Sequence, residues 1–315
     1  MHTKTRQGQF VASLVRSVLP LRAPVAAAAA RVVPYDAAVP RPHVICSKLG
    51  LLESAIVDTR GRLFVTSQTW SGPILRGAVL RLDHPEAEAV PLTEDIPSPG
   101  GLTFDEQGQL IVGYGDNAVG GLLGNFVGRA GLLRVDPDTG TQQTYATGLS
   151  MANGIARAAD GTIFASDDVG THLDRVDPDG TVHRRWARIW SANGLAIDPT
   201  GHYLYAAQFF PPAAIRRIDI TDPTKVTTHA QPPLPGRFAL LDGMAIDARG
   251  RLYVAANGAG QIWRVDTDGT IRALARGLAF PSAVALGRGP DGFSAGNLYA
   301  VTFSGDIVAL PAAAE

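Results

Sequence analysis

Apolar residues along this chain come in short bursts that alternate with polar ones, and the bursts repeat. Five segments share one template: Glu53-Ser-Ala-Ile-Val-Asp-Thr-Arg-Gly61, Gly100-Gly-Leu-Thr-Phe-Asp-Glu-Gln-Gly108, Asn153-Gly-Ile-Ala-Arg-Ala-Ala-Asp-Gly161, Asn193-Gly-Leu-Ala-Ile-Asp-Pro-Thr-Gly201 and Asp242-Gly-Met-Ala-Ile-Asp-Ala-Arg-Gly250. A glycine follows each anchor residue by eight positions. A weaker sixth copy begins at Ser282-Ala-Val-Ala-Leu, with its turn lengthened by Gly289-Pro-Asp-Gly292. After each turn comes a run of strand-forming residues, such as Leu63-Phe-Val-Thr, Ile163-Phe-Ala-Ser or Leu252-Tyr-Val-Ala. Strand, Asp/Gly turn, strand predicts a hairpin. A third strand follows in every unit, as in Gly131-Leu-Leu-Arg-Val-Asp and Gln261-Ile-Trp-Arg-Val-Asp, and a more polar fourth closes most of them, as in Thr141-Gln-Gln-Thr-Tyr.

Repeating units of about 40 to 53 residues, each with four short antiparallel strands, are the blades of a β-propeller. Six copies predict an all-β, six-bladed propeller over residues 44–315. A solenoid built from the same units needs atypical capping repeats, and none is present. The sixth unit ends at its third strand near Leu310, so Val44-Ile-Cys-Ser-Lys is expected to supply its outer strand and close the ring, which removes the exposed edge of an open sheet.

Residues 1–43 form an N-terminal extension and lead-in. Lys4, Arg6, Arg16, Arg22 and Arg31 punctuate an Ala/Val/Leu-rich stretch that has no acidic residue before Asp36. Phe10, Leu14, Val18 and Leu21 fall at helical spacing, which fits an amphipathic helix. The basic start and the alanines at 26–30 fit a secretory signal, although Arg16 and Arg22 interrupt its apolar run. The compartment is accordingly cytoplasmic in the first case and secreted or periplasmic in the second. No stretch has the length of uninterrupted apolar sequence that a transmembrane helix needs. With 28 basic and 29 acidic side chains, the net charge of -1 gives no electrostatic footprint for nucleic acid. Cys46 is the only cysteine, which excludes an intramolecular disulfide and a multi-cysteine zinc site.

In a propeller the innermost strand of each blade lines the axis, so one repeat position in every blade faces the same channel. That column reads Glu53, Gly100, Asn153, Asn193, Asp242, Ser282. Taken singly, Asn-Gly and Asp-Gly are ordinary turn dipeptides. Glu53 lacks that turn chemistry and shares the column. Two carboxylates and two amides converging from four blades make an oxygen-rich cage for a hard divalent cation, Ca2+ in preference to Mg2+, with other divalent cations as alternatives.

The chain resembles the regucalcin/gluconolactonase (senescence marker protein) family of six-bladed propellers, which is akin to diisopropyl fluorophosphatase and the paraoxonases. The resemblance covers roughly residues 44–310 and rests on the Glu53 strand, Met151-Ala-Asn153-Gly, Ser191-Ala-Asn193-Gly-Leu and Leu241-Asp242-Gly-Met-Ala-Ile-Asp. It implies that Glu53, Asn153, Asn193 and Asp242 hold a catalytic calcium and that Asp242 also acts as base or nucleophile. Sugar-lactone-hydrolysing members carry an arginine two residues before the first asparagine, where this chain has Met151. A polyhydroxylated sugar lactone is thus disfavoured.

The loops after each second strand are expected to wall a small-molecule pocket. They supply Trp70, Tyr114, Asp168, Phe209, Asn257 and Phe303, with Gln68, Asp116 and Asn117 among their neighbours; Met151 and His172 complete the candidate set. Asp168 and His172 form an acid–base pair if both turn inward; otherwise Asp168 caps a turn and His172 starts a solvated strand. The expected activity is calcium-dependent hydrolysis of an apolar or aromatic lactone or ester. Phosphotriester hydrolysis or a biosynthetic cyclisation or isomerisation is the alternative chemistry. A ligand-binding propeller with a structural calcium is the non-enzymatic alternative. No Gly-x-Ser-x-Gly elbow and no P-loop is present.

Overall fold

In a computed structural model of the chain, residues 24, 27–29, 31–71, 74–117 and 128–314 are described, the side chains of Trp70, Ser71 and Ile74 excepted. They build the six-bladed propeller that the repeat predicts, each blade a separate antiparallel sheet. The first strands, running from the axis outward in sheet order, are Leu51–Val57, Pro99–Phe104, Ile155–Arg157, Ala192–Ile197, Leu241–Ile246 and Pro281–Leu286. Each packs against the first strand of the next blade, and the sixth returns to the first. In the first blade the outer strand is split into Val90–Pro91 and Ile96–Pro97, both paired with Ile74–Leu82.

The ring closes as the sequence predicts. His43–Cys46 pairs antiparallel with Ile307–Leu310, with Val44 opposite Val308, so both ends of the chain share the sixth blade. The lead-in is docked as well. Tyr35 bridges Ala273 on the outer strand of the fifth blade, and the Asp36 N–H and Pro34 C=O both bond Ala273. Residues 27–29, 31 and 32 are helical, and Ala29 and Val33 are buried against Ala213, Ala239 and Ala259. The proposed amphipathic helix around Phe10–Leu21 lies outside the described residues. No helix among those described is long and apolar enough to cross a membrane.

Period-two alternation explains how the blades stick together. On the strand Leu63–Ser71, Leu63 and Val65 face the sixth blade and pack with Tyr299, Val301 and Ile307. Phe64, between them, faces the second blade and packs with Leu102, Leu110 and Val112. The same logic puts Tyr205 and Ile215 of the fourth blade against Leu252, Val254 and Trp263 of the fifth. Each fully buried side chain of this kind contributes about 1.5–3 kcal/mol.

The glycine eight positions after five of the six anchors ends a tight turn, capped in four of them by Asp58, Asp105, Asp198 or Asp247. At the first, Asp58 Oδ1 accepts the N–H groups of Arg60 (3.0 Å) and Arg62 (2.8 Å), and Gly61 adopts φ 79°. A left-handed φ there favours glycine.

Candidate functional site

The anchor residues converge on the axis because the first strands are bulged at them. The strand register slips between Leu52 and Ala55, Pro99 and Leu102, Ala192 and Leu195, Leu241 and Met244, and Pro281 and Ala283. Glu53, Gly100, Asn193, Asp242 and Ser282 lie inside these five bulges, while Asn153 stands just ahead of the strand Ile155–Arg157. A bulge gives one strand an extra residue and re-aims its side chain. Glu53, Asn153, Asn193 and Asp242 are all buried. Glu53, Asn153 and Asn193 line one axial cavity of about 60 Å³. Asp242 lies at the same level, since Gly243 and Met244 line that cavity too.

The glycine after each anchor is explained by packing rather than by turn geometry. Gly101, Gly154, Gly194 and Gly243 do not have left-handed φ values. A Cβ on Gly101 would come within 2.7 Å of the Asn153 carbonyl oxygen, one on Gly194 within 2.6 Å of the Asp242 oxygen, and one on Gly243 within 2.7 Å of the Ser282 oxygen. Each glycine thus lets the next blade's anchor approach, so the column is a chain of close backbone contacts. Hydroxyls on or just past the second strands hold two further anchor carbonyls: Thr66 Oγ1 donates to Gly100 O (3.0 Å) and Ser166 Oγ to Asn193 O (2.5 Å). Ser282 Oγ closes the circuit by donating to Leu52 O at 2.6 Å.

Electrostatics mark this as an acidic, water-poor site. Burial, and then repulsion from Asp116, Asp242 and Asp168, holds Glu53 well above the ordinary carboxylate range. Burial, and then repulsion from Asp168 and Asp116, does the same to Asp242. Asp116 is pushed up to about 7 by burial and by Asp168, and Asp168 to about 6 by burial. Asp116 was legible from sequence only as a wall residue; the structure seats it among the anchors. It fills the room left by Gly100, whose Cβ would lie 3.0 Å from the Asp116 Cβ. Asn153 Nδ2 donates to Asp116 Oδ1 (3.1 Å) and Gln68 Nε2 to Asp116 Oδ2 (3.3 Å). Asn257, expected in the wall, donates from Nδ2 to Asp242 Oδ2 at 3.0 Å, while Gly243 N–H donates to Oδ1 at 3.0 Å. Amides at the ends of the second strands therefore orient two of the buried carboxylates, Gln68 that of Asp116 and Asn257 that of the anchor Asp242. Among the described residues no three Asp, Glu, His or Cys side chains are grouped as a metal-ligand cluster. The four expected ligands include only two carboxylates.

The other expected residues divide. Met151 is buried two positions before Asn153. Tyr114 packs against the Phe64/Val79/Ile96 cluster between the first two blades. His172 does not pair with Asp168: its ring bonds Thr171 Oγ1 at 2.7 Å and lies near Arg185 and Arg188, which, after burial, lower its pKa. Phe209 is half-buried edge-on to Phe210, and Phe303 is half-buried with its N–H on Phe280 O. The Trp70 side chain lies outside the described set.

Below the cavity, the residues two positions after the anchors form an apolar ring of Ala55, Leu102, Ile155, Leu195, Met244 and Val284. The ring bounds both the upper cavity and a lower one of about 230 Å³.

Fold and axis together define a six-bladed propeller with an acidic site at the narrow end of its channel. Residues 164–302 match the model of the SMP-30/gluconolactonase/LRE-like region. The resemblance read from the sequence is borne out over those residues, and the fold is that of the gluconolactonase and regucalcin propellers. Among solved structures it is similar to a gluconolactonase from Xanthomonas campestris (19% identity over 89% of this chain and 97% of that one, TM-score 0.67). It is also similar to a calcium-binding protein, regucalcin, from Agrobacterium tumefaciens (17% identity, 89% and 94%, TM-score 0.63). Virginiamycin B lyase from Staphylococcus aureus shares the fold at 16% identity over 86% and 87% of the two chains, with a TM-score of 0.53. No curated protein matches the chain.

Proposed function

We propose that the protein is a divalent-cation-dependent hydrolase of lactones or related esters. The observation that carries this reading is the convergence of Glu53, Asn153, Asn193 and Asp242, buried on the inner edges of four blades, three of them bulged, around one axis. The donor set fits a hard cation. Its two carboxylates are crowded by the acidic Asp116 and Asp168, whose repulsion a divalent cation would relieve. Asn153 commits its amide nitrogen to Asp116, which leaves its carbonyl oxygen as the ligating atom. Calcium, or another divalent cation held by these four residues, supplies Lewis-acid polarisation of the substrate carbonyl.

The remaining roles belong to the chain itself. Asp242 is assigned as the base that takes a proton from the attacking water, or as the nucleophile. The bonds from Asn257 and Gly243 fix its orientation and leave each oxygen a free lone pair. The apolar ring beneath separates the anchors from the larger lower cavity, and substrate is assigned to the anchor face, where the carboxylates and amides lie. The gluconolactonase likeness favours lactone over phosphotriester chemistry.

The test is hydrolysis of a panel of lactones, aryl esters and phosphotriesters by wild type and Asp242→Ala. Turnover of lactones or esters that falls at least a hundredfold in the variant supports the reading. Absence of turnover on the whole panel, from protein whose fold is intact by circular dichroism, refutes it.

A further inference from the structure

Four of the seven exposed large apolar side chains among the described residues are Trp190, Phe210, Leu234 and Phe238. All come from the loops that lead into the anchors of the fourth and fifth blades or leave the fourth blade's second strand. The Ala213 N–H to Arg237 O bond (2.8 Å) ties these loops together. Exposed apolar side chains of this kind mark a surface that meets a ligand.

Two of the four form a rigid pair. Trp190 and Phe210 are stacked, with ring centroids 6.1 Å apart and planes at 27°, and Phe209 abuts Phe210 edge-on. Trp190 is 47% exposed and Phe210 37%, so both keep a free face. Their backbones are locked to the site through Ser191. Its Oγ donates to Asp168 O (2.7 Å) and accepts the Phe210 N–H (2.9 Å), and its own N–H bonds Gly170 O. Ser191 holds φ 55° two residues before Asn193. A non-glycine residue in that region is strained and needs its surroundings to hold it. Gln208 Nε2 fixes the far side by donating to Pro212 O at 3.1 Å.

We propose that Trp190 and Phe210 form a preorganised aromatic shelf that seats an aryl or similarly flat apolar group of the substrate, beside the ester or lactone carbonyl that faces the axis. The proposal rests on the hydrolase reading above for what happens to the carbonyl, but the shelf itself binds without turnover. Sequence patterning missed Trp190 because it precedes its anchor by three residues in a polar outer-strand context. Met151, which leads into the neighbouring third blade's anchor, is apolar and buried and offers nothing to hold hydroxyls, which fits a substrate recognised through apolar contact.

Two readouts separate the shelf from the chemistry. The first is the ratio of kcat/KM for phenyl acetate to that for γ-butyrolactone, in wild type, Trp190→Ala and Phe210→Ala. The ratio is expected to fall about tenfold in each variant, the scale of a lost aromatic contact together with its buried area. An unchanged ratio overturns the shelf while leaving the hydrolase intact. The second is quenching of tryptophan fluorescence by naphthoate, measured with Trp190→Leu alongside. Saturable quenching in the wild type that is lost in the variant supports the shelf even if no substrate turns over. Quenching that survives the variant overturns it. Cosedimentation with phosphatidylcholine vesicles that requires Trp190, without any change in the substrate ratio, also overturns the proposal and assigns the patch to a lipid surface.

Discussion

Gly194→Ala puts one methyl group where two expected ligands meet. Gly194 follows Asn193, and the added Cβ would lie 2.6 Å from Asp242 O, 2.6 Å from Met244 N and 2.8 Å from Gly243 C. These are backbone atoms of the next blade, so no side chain can rotate away. Ordinary contact begins near 3.4 Å, so the fifth blade's inner strand must retreat by about 0.8 Å or the fourth must rotate. Overpacking of this kind costs about 1–3 kcal/mol, which lowers the melting temperature of a chain this size by roughly 1.5–4.5 °C. Function should suffer more, because a displacement near 1 Å at a positioned group costs on the order of a hundredfold. The assay is thermal melting together with calcium titration of the same preparations. Ser54→Ala is the control, since the first blade already tolerates a side chain at the equivalent position. If Gly194→Ala melts with the wild type and binds calcium as tightly, the close-contact account of the column is wrong.

Three further outcomes follow from the same interactions. The pKa of Asp116 is raised from 3.8 to about 7 in the folded protein, so folding favours its protonated form. Its contribution is fully present near pH 4 and is lost as pH rises to about 7, a penalty of up to ~4 kcal/mol. In chelator, the melting temperature of Asp116→Asn minus that of the wild type should therefore grow over that window; a flat difference contradicts the burial of the carboxylate. Ser282→Ala removes the hydroxyl that bonds Leu52 O and Val301 O, and urea melts should show a loss of about 1–2 kcal/mol; no loss means the bond between sixth and first blades is dispensable. Deleting residues 1–46 strips the outer strand from the edge Ile307–Leu310. Size-exclusion chromatography should then show oligomers or aggregate, and a monomer with wild-type melting would refute closure by the N-terminal strand.

The fold was legible because the repeat writes the same chemistry six times. The glycine at the eighth position and the alternating Leu63, Phe64 and Val65 carry their structural reasons in the sequence. The His43–Cys46 strand was legible from the incomplete sixth unit. The anchor column was also readable, but its geometry was not. The bulges that turn Glu53, Asn193 and Asp242 inward leave no residue signature, and Asn-Gly and Asp-Gly suggested turns where the structure uses the glycine for close approach. Asp116 was hidden because its blade presents Gly100 in the column and lends a carboxylate from the second strand instead. A column drawn through the second-strand ends, Gln68, Asp116, Gln208 and Asn257, would have exposed it. His172 could be placed near the site but not oriented, since Thr171 and the nearby Arg188 decide where its ring goes.

The central claim is that a divalent cation at Glu53, Asn153, Asn193 and Asp242 serves ester or lactone hydrolysis. Its most direct test is calcium add-back to chelator-treated protein, with turnover and calorimetric binding followed in the same titration. The account predicts one site per chain, turnover that recovers with the midpoint of binding, and loss of both in Glu53→Gln with Asp242→Asn. Full turnover in chelator, or calcium binding that survives the double substitution, would contradict it.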